Sequence, residues 1–331
     1  MSKKSCLIII VISLILLIIL FACGAICYLL SESLSNYDVE SLNTNEVNTL
    51  TEGGQDKIAI INVEGIIMDT DTSSDIWGST YASSRKIIED LDKALSDDEV
   101  KAVIININSP GGDVYASDII YNKIQEVQEQ GLIVVALMRN TAASGGYYIV
   151  ASADRIVASP LTLTGSIGVR MDVQSLAGLY EKLGIETRTI TNSNGEFKTG
   201  EGLFDDDPNG EEDKIYQRLI DEYFDRFVSI VAEGRKKEKD EVLEIADGRV
   251  FSGKQAYEVG LIDVLGGYDE AVEEAEKLTN IENATIIEYK EYSFWNMFAG
   301  YVSNLVNPTA QVTKLVDPTP GVKFKYLYME E

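Results

Sequence analysis

The chain predicts an α/β domain with a largely parallel central sheet flanked by helices, standing behind one N-terminal transmembrane helix. Three observations carry this reading. No residue from Leu7 to Leu30 is charged. From Ile58 to Leu278 short apolar runs alternate with amphipathic stretches, the pattern of β–α–β units. One run, Lys101–Ser109 (KAVIININS), is apolar enough to be covered on both faces, as strands of a parallel sheet are.

At about 1.5 Å per residue, the run from Leu7 to Leu30 outreaches a hydrocarbon core of roughly 30 Å. Lys3 and Lys4 precede it and the next basic residue is Lys57, so the excess of positive charge on the cytoplasmic side puts the N-terminus in the cytoplasm and the rest outside. Leu20–Cys23 (LFAC) offers a rival, a lipoprotein cleavage box with Cys23 lipidated, but Phe21 suits it poorly and the apolar run continues beyond Cys23. An uncleaved anchor over residues 1–30 is the expectation. Residues 31–55 are polar and acidic with no apolar period, a flexible stalk.

The body, 56–291, should begin with a strand at Ile58–Val63, followed by a helix at Ser84–Leu95 and a strand at Ala102–Ile107. A helix at Ala116–Gln130, a strand at Ile133–Met138 and a helix at Gly145–Ala153 come next, then helices at Val173–Leu183, Glu211–Gly234, Lys254–Val259 and Tyr268–Leu278. The C-terminal part, 292–331, opens with an amphipathic helix at Tyr292–Val306, with Phe294, Trp295, Phe298, Val302 and Leu305 on one side, and ends as an extended tail.

With 331 residues, 45% of them hydrophobic, the chain can bury a full core. Its 54 acidic against 28 basic residues give a formal charge of −26, which repels nucleic acid. It has no histidine, and its three cysteines, Cys6, Cys23 and Cys27, all lie near the N-terminus. No cofactor and no metal site is therefore expected in the body. Hydroxyls, carboxylates and lysines are the chemistry left.

Two stretches suit a nucleophile. In Asn108–Ile119 (NSPGGDVYASDI) the Gly111–Gly112 pair lets backbone N–H groups approach a ligand and could stabilise an oxyanion, while Asp113 can cap the helix that follows. A plain strand-to-helix turn is the alternative. In Asn140–Ile156 (NTAASGGYYIVASADRI) a small-residue loop leads to Ser144 at a helix N-terminus, where the unpaired Gly145 amide and the helix dipole favour negative charge. Alone, such a serine is more often an N-cap. Two such loops, each after an apolar strand, favour the nucleophile.

Without histidine the base must be a lysine or a carboxylate, and a desolvated lysine reaches the working range more readily. Lys101, Lys123 and Lys182 lie on charged faces or strand ends and should stay solvated. Lys198, in NSNGEFKTGEGLF, follows a strand (TRTITN) and a glycine turn, with Phe197 and Leu203 near enough to shield it; a surface lysine in a hairpin is the alternative.

From Lys57 to about Leu278 the chain resembles the half-length form of signal peptide peptidase A, within the ClpP and crotonase superfamily. The resemblance rests on Ile107–Gly112 (INSPGG), Ala142–Val169 (AASGGYYIVASADRIVASPLTLTGSIGV), Phe197–Gly200 (FKTG) and Ala246–Asp263 (ADGRVFSGKQAYEVGLID). It implies a ClpP/crotonase-like fold and a serine–lysine dyad, with Ser144 the nucleophile, Lys198 the general base, and an oxyanion hole at the backbone of Gly112 and Gly145 beside Gly111. Thr199 stands where the family usually has an acidic residue. It further implies a membrane-anchored endopeptidase acting on cleaved signal peptides and other hydrophobic peptides outside the membrane. Its assembly would be a ring-shaped homo-oligomer in which Lys198 can serve the next subunit's Ser144. Ser166 or Thr164 could orient the lysine. A non-catalytic membrane scaffold of the same fold is the rival.

Two strings mimic other sites. Ser83–Lys86 (SSRK) with Lys198–Gly200 (KTG) fits two boxes of penicillin-binding proteins without the third between them. Asp205, Asp207, Asn209 and Gly210 start like a calcium loop, but Tyr216 takes the place of its glutamate.

Overall fold

The computed structural model describes residues 47–71, 81–172, 176–186, 188, 190, 192–194 and 211–289, together with Leu17 and Gly24. Val47–Tyr289 makes one compact unit. Of the second, made by Met1–Glu46 and Lys290–Glu331, only Leu17 and Gly24 are described, both helical and exposed. The expected anchor and C-terminal helix thus lie outside the described residues, among which no helix is long and apolar enough to cross a membrane.

The strands are β1 (Val47–Thr51), β2 (Lys57–Glu64), β3 (Ile66–Met68), β4 (Tyr81–Ser83), β5 (Val100–Ser109), β6 (Ile133–Ala143), β7 (Arg155–Ala158), β8 (Leu163–Gly165), β9 (Val250–Ser252), β10 (Val264–Leu265) and β11 (Thr285–Tyr289). Between them run α1 (Ser84–Ser96), α2 (Val114–Glu129), α3 (Gly145–Tyr148), α4 (Ala177–Leu183), α5 (Glu211–Arg235), α6 (Lys239–Leu243), α7 (Gly253–Glu258) and α8 (Tyr268–Thr279). The main sheet runs β1-β11-β2-β5-β6-β7-β10, with β8 on β6 and β9 on β8. Among the described residues, only β1–β11 and β8–β9 pair antiparallel in it. β3 and β4 form a separate parallel pair.

The sheet is covered on both faces because successive residues of its strands point opposite ways. Ala59, Ile61, Val63, Ile105 and Ile107 share a core with Leu91, Ile120, Ile124, Phe227 and Val231 of α1, α2 and α5. On the other side Ile58, Ile60, Ile104 and Val135 pack on Ala271 and Ala275, small residues that let α8 lie close. The largely parallel α/β reading holds, and parallel pairing gathers the ends of β2, β5, β6 and β8 along one edge of the sheet.

Several elements differ from expectation. Within the supposed stalk, Val47–Thr51 forms β1, whose mostly exposed residues pair with β11 and whose Asn48 amide donates to Glu288 (2.9 Å). Its pairing partner lies 240 positions away in the chain, so no local pattern marks it. β6 continues through the supposed loop to Ala143, leaving β7 after Met138 and pairing with β8 from Thr141. The helix from Gly145 stops at Tyr148, since the Asp154 N–H must return to the sheet at the Val134 carbonyl (2.9 Å). Arg188, Ile190 and Asn192, within the supposed strand TRTITN, are in no strand.

One partly buried ion pair anchors α5. Arg235, whose side chain is 7% exposed, binds Asp263 through Nη2 (2.6 Å) and Nη1 (3.1 Å), and the same carboxylate accepts the Ile156 N–H (2.8 Å). Asp263→Ala would take the acceptor from both Arg235 Nη groups and a backbone donor, while Arg235 Nε keeps the Gly260 carbonyl (3.2 Å). We expect a loss of about 1–3 kcal/mol in unfolding free energy, read as a fall in the urea midpoint, with Asp263→Asn losing less.

Candidate active site

β5 stops at Ser109, and the chain turns through Pro110, Gly111 and Gly112 into α2. The buried Ser109 hydroxyl shapes this turn by accepting from the Gly111 N–H (3.1 Å). Gly111 stands at φ +99°, where a side chain is strained. A Cβ on it would fall 2.6 Å from the Gly145 nitrogen and 2.9 Å from Ser144 Cβ, and one on Gly145 would fall 3.2 Å from the Gly112 nitrogen. Glycine therefore lets the loop lie directly on the serine turn, bringing the Gly112 and Gly145 amides close together. β3 fixes the loop from outside: the Ile67 N–H donates to the Gly111 carbonyl and the Asp113 N–H to the Ile67 carbonyl (2.9 Å each).

From β6 the chain enters α3 through Ser144, at φ 53° and ψ −122°. A residue with a side chain in such a region stores of order 1–3 kcal/mol of strain. The turn is held by the Ser144 N–H donating to the Gly165 carbonyl (2.8 Å), and by the Tyr147 and Tyr148 N–H groups donating to the Ser144 carbonyl (2.9 Å each). Although Ser144 stands at the N-cap position, its side chain makes no capping bond. Its hydroxyl has no hydrogen-bond partner among the described residues, so the N-cap reading falls.

Neither the Gly112 nor the Gly145 amide meets an acceptor among the described residues. Gly145 opens α3, where first-turn donors lack intrahelical partners. Gly112 precedes the Asp113 cap of α2, which accepts from the Ala116 N–H (2.7 Å), and the positive end of that 16-residue helix dipole lies at this cap. Two N–H groups without an acceptor among the described residues, the positive end of a helix dipole and the Ser144 turn thus lie beside one another.

The third wall is β8. After Gly165, Ser166 takes φ 51°, and its N–H donates to the Arg249 carbonyl (2.8 Å). Arg249 holds the carboxyl of Asp247 down to about 2, first through its guanidinium and then through its backbone N–H. The buried Thr164 hydroxyl donates to the Ala142 carbonyl (2.7 Å) and so ties β8 to β6. The half-buried Ser166 hydroxyl has no partner among the described residues.

Ser144, Gly111, Gly112 and Gly145 are thus brought together, while Lys198 lies outside the described residues. The lysines expected to stay solvated include one that does not. The Lys123 side chain is 11% exposed and bound to Asp92 (2.5 Å) and Glu126 (3.0 Å). Burial opposes its charge, but those carboxylates outweigh it and hold the ammonium above its usual range. Ser83 is the N-cap of α1, accepting from the Lys86 N–H, and Lys86 pairs with Asp90, so the penicillin-binding resemblance fails. The calcium-like residues up to Gly210 lie outside the described residues.

Sequence reasoning missed Ser109 and Ser117. The Ser117 hydroxyl donates to the Asp113 carbonyl (2.8 Å) and lies 2.5 Å from where a Gly145 Cβ would be. Ser-Pro-Gly-Gly carried a readable turn signal for Ser109; Ser117, one turn inside a helix, carried none.

The profile of Peptidase family S49 matches residues 126–282, and that of Clp protease residues 75–162. A protein of Enterococcus faecium named as a candidate signal peptide peptidase SppA is 36% identical over 272 residues, 78% of this chain and 76% of that protein. One of Methanocaldococcus jannaschii, named as a candidate protease, is 36% identical over 280 residues, 84% of this chain and 85% of its own. Protease 4 of Haemophilus influenzae is 36% identical over 237 residues, 70% of this chain and 36% of that longer protein. With relatives this similar over three quarters or more of both chains, the chain belongs to peptidase family S49.

Proposed function

We propose that the protein is a membrane-anchored serine endopeptidase that cleaves hydrophobic peptides, remnants of signal peptides among them, at the outer membrane face. The observation that carries this is the strained, uncapped turn at Ser144 beside the free amides of Gly112 and Gly145. A strand-to-helix turn of this kind exposes a nucleophilic oxygen in other hydrolases too.

The Ser144 oxygen attacks the scissile carbonyl carbon as neutral Lys198 takes the hydroxyl proton. The carbonyl π pair moves onto its oxygen, which the Gly112 and Gly145 N–H groups stabilise. Collapse of this intermediate expels the amine, which takes the proton from Lys198 and leaves an acyl–Ser144 ester. Water, deprotonated by Lys198, adds to that ester, and Ser144 leaves with the proton returned. The open hydroxyl of Ser166 suits the task of orienting Lys198 better than that of Thr164, already committed to Ala142.

A homo-oligomer with shared sites fits one further feature. In α5, Phe227 is the first buried residue among those described, leaving Leu219 and Tyr223 exposed. Apolar side chains exposed on a helix suit a neighbour.

The direct test assays Ser144→Ala and Lys198→Ala on an apolar fluorogenic peptide, each checked for folding and assembly. Both should lose at least about 10³-fold in kcat, as members of one catalytic unit do. Loss in Ser144→Ala alone would move the base elsewhere, and a wild type inert toward peptides would favour the scaffold reading.

Because only the neutral amine accepts a proton, kcat/KM should rise with pH toward an alkaline optimum. A pH–rate profile that peaked well below neutrality would exclude lysine as the base. For shared sites, mixing and reassembling Ser144→Ala with Lys198→Ala subunits should restore about a quarter of wild-type activity, since half the serines and half the lysines are intact and pair at random. No recovery after verified subunit exchange would place both groups in one chain.

A further inference from the structure

Behind the serine turn, one carboxylate oxygen joins three helices. Tyr148, the last residue of α3, donates its hydroxyl to Asp118 Oδ1 of α2 (2.6 Å). Arg226 of α5 meets the same oxygen through Nε (2.6 Å) and Nη2 (2.5 Å). The other oxygen, Oδ2, accepts from Asn122 Nδ2 (3.0 Å), and Asn122 Oδ1 receives Arg226 Nη2 (3.4 Å). The Tyr148 ring stands edge-on to Tyr121 of α2 (centroids 5.6 Å apart) and to Phe227 of α5 (4.9 Å). Burial and the bond to Asp118 keep the Tyr148 phenol above its ordinary range, so it remains a donor.

The location gives this network its meaning. α2 begins just after Gly112 and α3 begins at Gly145, so the two amides beside Ser144 belong to two separate helix starts. Nothing covalent sets their spacing. The Tyr148–Asp118 bond spans the same two helices about a turn deeper, and Arg226 neutralises the carboxylate and draws it toward α5. A donor pair stabilises an oxyanion only when both N–H groups reach one point, at about 2.7–3.1 Å from it. A shift of a few tenths of an ångström between α2 and α3 would spoil that for one of them.

We propose that Asp118, acting through Tyr148 and Arg226, is a positioning residue that sets the spacing of the Gly112 and Gly145 amides and so tunes stabilisation of the tetrahedral intermediate. This rests on the peptidase reading above. Asp118 itself touches no reacting atom.

The test uses the full-length protein in detergent with Tyr148→Phe, which keeps the ring packing, Arg226→Met, which keeps the stem, their double variant, and Arg226→Lys. Each is read for kcat, KM, assembly, melting temperature and inhibition by a peptide aldehyde, whose hemiacetal with Ser144 places an oxygen between the two amides. We expect Tyr148→Phe and Arg226→Met each to lower kcat about tenfold with KM within about twofold. Aldehyde affinity should fall in step with kcat/KM, as stabilisation of a shared tetrahedral geometry requires. The double variant should lose little more than the worse single, because both bonds end on one oxygen, and Arg226→Lys should recover most of the activity. Unchanged kcat in both single variants overturns the proposal, as do losses that multiply in the double variant, or a loss that follows melting temperature or KM while aldehyde affinity holds. A wild type inert toward peptides overturns the peptidase reading and this proposal together, whereas an active wild type with indifferent variants overturns this proposal alone.

Discussion

The backbone of Ser144 sits in a conformation that costs about 1–3 kcal/mol for a residue with a side chain, and much of the sheet edge is built to hold it there. Its N–H is taken by β8 and its carbonyl by two N–H groups of α3, so the turn could not relax without breaking three hydrogen bonds. Each support has its own: β8 hangs on β9 and on the Arg249 carbonyl. α3 is fastened at its far end by the fully buried Tyr147, whose hydroxyl donates to the Leu261 carbonyl (2.8 Å). The stretch Ala246–Asp263, far from Ser144 in sequence, is thereby part of the machinery that holds it.

Glycine does the complementary work. Gly146 packs so closely on Ser109 that a Cβ there would lie 2.8 Å from its carbonyl oxygen, and one on Gly112 would lie 2.1 Å from that of Ile67. The two loops can touch backbone to backbone only because neither carries a side chain at the contact. The result resembles a small piece of sheet whose N–H groups have been turned toward a ligand in place of a neighbouring strand.

The parallel core was legible because its strands are long and apolar on both faces: Ile58–Val63, Ala102–Ile107 and Ile133–Met138 all fall inside observed strands, and the helices between them were off by a residue or two. The short strands were not legible. β7, β8 and β9 span three or four residues each, too few for a period of two to show, and they exist because they complete one another and β6. The same is true of β1, which depends on β11 at the opposite end of the chain. At the site, Gly111, Gly112, Ser144 and Gly145 could be named from small residues following apolar strands. That Ala142 and Ala143 are strand rather than loop could not, because it follows from β6 changing partners from β7 to β8. Asp118, Tyr148 and Arg226 lie on three helices, and each alone is an ordinary polar residue on a helix.

The composition bears on the choice of base. A chain with 54 acidic residues and no histidine sets carboxylates beside several of its lysines. Lys57 is bound to Asp97 and Glu99, Lys86 to Asp90, Lys93 to Glu89 and Lys123 to Asp92 and Glu126. At Lys57, Glu99 and then Asp97 raise the ammonium pKa most, and at Lys123 Asp92 and Glu126 outweigh burial, the wrong direction for a general base. A lysine that serves Ser144 must instead be shielded from water and kept from acidic neighbours, Asp205–Asp207 included. The proposed oxyanion site would ease that demand, because its positive potential comes from backbone amides and a helix end. It therefore attracts the developing negative charge without an anionic side chain that would hold a proton on the base.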